Sequence, residues 1–181
     1  MTPRIPKVDL GEVGENMIER FGFVPAPTEV AWHHPEFGEA ATAFGGQVAS
    51  WDAADESLKT FAHMAVAARV GCAWCLDFNY FQALHKQLDL GKASQVPRWR
   101  EADVFTPLER DVLEYAEAMT ATPSAVTDEL SARLLDALGP KALVELTAVI
   151  AFANLSTRGN VALGVESQGF SSACEIPLAA A

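Results

Sequence analysis

The sequence predicts an all-α protein, and three observations carry that prediction. Apolar residues recur at helical spacing, most clearly Leu58, Phe61, Ala62, Ala65, Val66 and Val70. Helix starts are written locally, as in Thr106-Pro107-Leu108-Glu109. There Thr is suited to the cap, Pro to the first position, and Glu to closing a capping box. No segment alternates apolar and polar residues for long enough to make a strand.

Taken in order, residues 1–10 read as a disordered or loosely docked arm. Residues 11–21 form a short amphipathic helix, ended by Gly22, Pro25 and Pro27. A second helix spans 35–51, with Pro35 in its first turn, weakened by Gly38, Gly45 and Gly46. A strong helix runs from Asp55 to Val70 and is broken by Gly71. The next spans 72–88, with Gly91 as its stop, and 91–105 is a polar connection with a short helical turn. The helix begun at Thr106 carries Val112, Leu113, Tyr115, Ala116 and Met119 on one face and ends before Pro123. Thr127-Asp128-Glu129 caps a helix bearing Leu130, Leu134, Leu135 and Leu138, which stops at Gly139-Pro140. The last helix, 141–164, is apolar on most sides and is expected to be central; the tail after it is irregular.

At 181 residues, half of them apolar, the chain suits one domain, 1–181. A formal net charge of −11 and an isoelectric point near 4.7 argue against nucleic acid or an anionic membrane as a partner. Residues 1–20 mix charges without the apolar core of a signal peptide, and no apolar run reaches the ~20 residues a span needs. A cytoplasmic location is expected. In a reducing compartment a cysteine pair is more often catalytic or metal-binding than structural.

The chemistry centres on Cys72-Ala73-Trp74-Cys75. Two thiols three residues apart can bond to each other. They can also share one face of a helix's first turn, where unpaired N–H groups and the positive dipole end favour thiolate. C-x-x-C placement lowers a thiol pKa from about 8.5 toward neutrality. Zinc would need two further ligands, and neither a second C-x-x-C nor an H-x-x-x-H is present, so no metal or cofactor is expected. Asn79 and Gln82 continue the cysteine face, and Thr60 and His63 face together on the preceding helix. Other polar residues have plainer readings. His63 suits a satisfied core or interface histidine, and Asp77 suits the helix dipole. His33-His34, before Pro35, suits a loop or helix entry, His85 suits a solvent-facing position, and Arg158 suits a buried salt bridge or subunit contact. Trp74 either shields the thiols, lines a channel or belongs to the core; Cys174 carries no assignment.

Four stretches give the chain a resemblance to the alkylhydroperoxidase D-like and carboxymuconolactone decarboxylase superfamily. They are Arg69-Val70-Gly71 with Cys72 to Phe78; Phe105 to Arg110; Val126 to Leu130; and Phe152 to Arg158 with Leu163-Gly164-Val165. In order they cover about 55–166, a core that the helical extension 11–51 precedes. The resemblance implies an all-helical, oligomeric fold (dimer, trimer or hexamer) and a dithiol that reduces peroxides. Cys72 and Cys75 are then the catalytic pair, a small hydroperoxide or other small molecule the substrate, and a dithiol the reductant. Two positions depart from that pattern. The superfamily's peroxidases have His four residues after the second Cys and Glu twelve before the first; here these are Asn79 and Thr60. Neither takes up protons near neutrality. The candidates for the relay are His63, Asp77 and His85, with Asn79 at the histidine position. A cofactor-free decarboxylase and a non-catalytic oligomeric relative are the alternative readings.

Overall fold

In the computed structural model, which describes residues 4–179 and only the backbone of Arg20 and Phe21, every regular element is helical. Eight α-helices follow in order: α1 Glu12–Phe21, α2 Ala26–Ala31, α3 Pro35–Ser50, α4 Glu56–Val70, α5 Ala73–His85, α6 Leu90–Gln95, α7 Pro107–Thr120 and α8 Asp128–Leu163. Short 3-10 turns cover Val96–Arg98 and Phe170–Ala173.

The local signals work as written. The Asp55 carboxylate accepts the Ser57 N–H at the start of α4, and Thr127 accepts Leu130 N–H at the start of α8. Both halves of the Thr106–Glu109 capping box are formed. Gly71 closes α4 in the left-handed region, φ 79°, where L-residues with a Cβ are strained. Gly139 also takes positive φ, 74°, and breaks α8 where the Gly-Pro stop was expected, but the helix resumes at once.

Of the two readings of the N-terminal arm, its described part takes the docked one: Arg4 donates to the Val161 and Ala162 carbonyls at the end of α8, and Val8 N–H reaches Glu29 O at 2.9 Å. Residues 1–3 of that arm lie outside the described residues. Three expectations are corrected. Pro25 and Pro27, read as stops, instead open α2, because a first turn has N–H groups to spare. Gly91 does not end α5, which finishes at His85; it lies inside α6, which Asp89 caps through Lys92 N–H. The central helix is α4, not α8. α4 packs on α5, α7 and α8, and Phe61, Met64, Ala65 and Val66 are sealed. α8 is apolar on most sides, yet one side faces out, with Val144 69% and Leu155 54% exposed.

Two of the glycines that weaken α3 have a packing reason. A Cβ on Gly38 would meet the Trp32 ring at 2.6 Å, and one on Gly45 would meet Phe152 at 2.9 Å. Glycine lets α3 approach α8 where a side chain would hold it off. Glu145 of α8 ties the same end of the molecule together. It accepts the Ala53 and Ala54 N–H groups and lies 3.4 Å from the buried ammonium of Lys59.

Candidate active site

The left-handed turn at Gly71 delivers Cys72 to the N-terminus of α5, and its own N–H is spent on Ala67 O. Cys72 is the N-cap of α5: its Sγ accepts the Cys75 N–H at 3.3 Å. The two cysteines are joined as a disulfide, and each residue is only 1% exposed. Cys75 Sγ also accepts a hydrogen bond from Asn160 Nδ2 of α8, at 3.2 Å. Around the pair lie Ala26 and Val30 of α2, Ala67 of α4, Val165 and Trp74. The surroundings are dry and apolar, and the polar contacts to sulfur come from one backbone N–H and one carboxamide.

A strap formed by residues 165–173 closes this region. It is held largely by one side chain. Asp77, buried on α5, accepts from the Ser167 hydroxyl and from the N–H groups of Gly169, Phe170 and Ser171, at 2.6–2.9 Å. Burial works against the ionised form, but these bonds prevail and hold the Asp77 carboxyl below the usual carboxylate range. Gln168 links the strap to both sides of the site. Its Oε1 accepts from Trp74 Nε1 at 2.7 Å and from Ala26 N–H at 2.9 Å. Phe170 completes the cover among Phe23, Trp74, Phe78 and Phe81. Trp74 itself stacks on Phe78 with centroids 4.8 Å apart.

The following turns of α5 face a different space. Asn79, Gln82 and Lys86 line a cavity of about 270 Å³ among α3, α4, α5 and α8, together with Phe78, Val149 and Phe152. Thr60 and His63 of α4 share its wall. The two positions that depart from the superfamily's pattern, Thr60 and Asn79, therefore border one space. Neither is free. Thr60 Oγ1 is 3.4 Å from Lys86 Nζ, and Asn79 Nδ2 donates to Cys75 O at 2.7 Å. Lys86 pairs with Glu56, and Glu56 also pairs with Lys59. His63 makes no hydrogen bond among the described residues, so within one chain it is not a satisfied core histidine. Burial, with the Lys86 charge nearby, pushes its pKa down to about 4. It is neutral at pH 7, with one ring nitrogen able to accept.

The structure thus separates the sequence candidates. Cys72 and Cys75 lie together in the dry region; His63 and Asn79 lie on the cavity, with Asn79 touching the Cys75 backbone. Asp77 is committed to the strap. His85 is exposed and sits edge-on to Phe81. Arg158 makes no salt bridge among the described residues: it is exposed and donates to Asn154 Oδ1 and Thr120 O, tying α8 to the end of α7. His33 reaches Pro6 O and His34 caps α3. Asn160, Gln168 and Phe170 were missed. They stand 85 or more residues from the C-x-x-C in sequence, and no local pattern marks them. Among the described residues, no three His, Cys, Asp or Glu side chains converge as metal ligands would, and no helix is long and apolar enough to cross a membrane.

Residues 35–118 match the carboxymuconolactone decarboxylase family. The chain is 35% identical over 123 residues to the uncharacterized protein YnjA of Escherichia coli, covering 68% of this chain and 66% of that one. It spans just under two thirds of the curated relatives it matches, with 65% for YdfG of Bacillus subtilis. Its fold is that of an uncharacterized peroxidase-related protein of Ralstonia eutropha with an alkylhydroperoxidase AhpD core (TM-score 0.81, 19% identity, 98% of each chain). The debrominase Bmp8 shares the fold too (TM-score 0.80, 19% identity, 92% of this chain and 93% of that one). A cysteine-to-alanine variant of Bmp8 has been solved with 2,3,4-tribromopyrrole.

Proposed function

We propose that this chain, a member of the alkylhydroperoxidase D-like and carboxymuconolactone decarboxylase superfamily, is a thiol-dependent oxidoreductase that reduces small peroxides. The observation that carries the reading is the Cys72–Cys75 disulfide at the N-terminus of α5, with Cys75 N–H on Cys72 Sγ. That position favours thiolate on Cys72 once the pair is reduced. The Cys72 thiolate attacks one oxygen of the peroxide; the O–O bond breaks, Cys72 becomes a sulfenic acid, and the alkoxide leaves and takes a proton. Cys75 then attacks the sulfenic sulfur, the disulfide forms, and hydroxide leaves as water. A dithiol returns two electrons and two protons to the pair.

Two leaving groups need protons, and the carboxylate of Asp77 is engaged elsewhere. Proton supply falls to solvent reaching the cavity; neutral His63 can accept a proton there but holds none to give at pH 7, and Thr60 and Asn79 contribute hydrogen bonds only. The reaction is therefore slow, since general acid–base help is typically worth ~10²–10⁴-fold. The same dithiol could debrominate a small heteroaromatic: C–Br becomes C–H, bromide leaves, and the two thiols become a disulfide. The mixed aromatic and polar lining of the cavity favours keeping this second reading.

A reductant-coupled assay tests both with an alkyl hydroperoxide and a bromopyrrole. Turnover is expected with the parent and should vanish in Cys72→Ser and in Cys75→Ser. A double serine variant as active as the parent means the thiols are not the site. We also propose a homo-oligomer, because α3 exposes Phe37 and Phe44, and α8 exposes Val144 and Leu155. Light scattering at the 19.4 kDa chain mass would refute this.

A further inference from the structure

We propose that the strap 165–173 is a gate that determines which reductant reaches the Cys72–Cys75 disulfide, excluding protein dithiols while it is closed. The inference rests on reading that pair as the working redox centre. Three observations lead to it. First, both cysteines are 1% exposed, with Val165 beside them and Phe170 packed against the same apolar cluster. Disulfide exchange requires the attacking thiolate to reach a sulfur directly. A protein dithiol carries its thiols on a folded surface and must bring that surface up to the bond. A small phosphine needs far less room.

Second, apart from the packing of Phe170 on α5, the strap's backbone is held to the body of the protein largely through one side chain. The backbone N–H groups of Gly169, Phe170 and Ser171 all end on one carboxylate, Asp77. Residues 166–169 are exposed. Segments with few buried contacts open at a cost well below global unfolding. Third, several of the strap's other attachments are on the cysteine segment itself or directly beside it, while Gln168 Nε2 also donates to Val24 O and Val165 N–H to Asn160 O at the end of α8. Gln168 bonds Trp74, one of the two residues between the cysteines, and the Ala26 N–H of α2. Phe170 meets Trp74, Phe78 and Phe81. Releasing Asp77, Gln168 and Phe170 therefore frees the strap from the first turns of α5, with the Val165 N–H bond to Asn160 O keeping it hinged on the end of α8.

With the strap open, a thiolate of the reductant attacks one sulfur of the pair. The Cys72–Cys75 bond breaks, a mixed disulfide forms, and the other cysteine leaves and takes a proton. The reductant's second thiol then attacks the mixed disulfide, releasing the second cysteine and leaving the reductant oxidised by two electrons. Asp77 and Gln168 are positioning residues in this scheme; neither touches a reacting atom.

The test uses the full chain as parent, Asp77→Asn, Gln168→Ala and Phe170→Ala. Each is oxidised and offered thioredoxin (kept reduced by its reductase) or the phosphine TCEP. The rate of thiol appearance is read by mass shift after alkylation. Reduction by thioredoxin is expected to rise about tenfold or more in the variants, and reduction by TCEP by less than about threefold. Circular dichroism checks the helices, and if Asp77→Asn fails to fold, the other two variants decide. Thioredoxin rates equal to the parent's, with normal TCEP reduction, overturn the gate and leave the redox reading intact. Equal acceleration by both reagents overturns the size selection. A pair that resists both in every folded variant overturns the redox reading together with the gate.

Discussion

The first turns of α5, from Cys72 to Asp77, pack in a dry setting of aromatic rings, whereas the turns from Asn79 to Lys86 border a cavity open to water. Every polar group in the first region has a fixed partner: the sulfurs have Cys75 N–H and Asn160, and Asp77 has the strap. In the second, His63 has none among the described residues. A dry pocket protects a disulfide and strengthens each hydrogen bond within it. A wet one lets protons arrive. Thiol chemistry needs both, and Asn79, bonded to Cys75 O from the cavity side, joins them.

Four experiments would break or sharpen this contrast. The largest effect is expected at Asp77. Asp77→Ala removes four charge-assisted hydrogen bonds to the partly buried strap and should cost about 3 kcal/mol in urea unfolding, while Gln82→Ala on the cavity should cost under about 0.5 kcal/mol. Equal costs would erase the distinction between the two regions. Next, supplying the relay from the wet side, Thr60→Glu with Asn79→His, should raise peroxide turnover about a hundredfold. If the fold is intact and the rate unchanged, His63 already serves as the relay, and His63→Ala in the parent should then lower it.

His63 should also mark the acid limit of stability. Its folded pKa is about 4 against an ordinary 6.5, so the unfolded chain binds more protons between those values. Its contribution is complete above about pH 6.5 and is lost as pH falls toward 4. It amounts to about 2 kcal/mol, once the full shift is discounted for the open side of the cavity. His63→Leu should flatten that part of a stability–pH curve; an unchanged slope would move the titrating group elsewhere. Asp77 acts in the same direction at lower pH, since its carboxyl is held below the usual range and its contribution disappears as the group protonates. The smallest effect is expected at Asn160. Its N–H serves a Cys75 thiolate better than a disulfide sulfur, so Asn160→Ala should make the pair harder to reduce by about 1 kcal/mol. A redox titration against glutathione measures this, and a shift of opposite sign would show that the bond favours the oxidised form.

The sequence by itself determined what is local. Helical spacing, the caps at Asp55, Thr106 and Thr127, and the breaks at Gly71 and Gly139 act within a few residues, so they survive whatever the rest of the chain does. The Cys72–Cys75 pair is legible for the same reason: three residues on one turn bring the sulfurs together. The short helices were less so. α2 and α6 carry Pro25, Pro27 and Gly91, residues that end a long helix but suit the first turn of a short one. The tertiary structure decided everything that depends on distance along the chain. Both α4 and α8 are apolar enough to be central, and only packing left Val144 and Leu155 of α8 outside. Asp77 reads as a helix-dipole residue until the strap returns some 90 residues later to bind it. Asn160 and Gln168 follow no pattern at all, because a side chain that serves a distant segment needs only to be in the right place once the chain has folded.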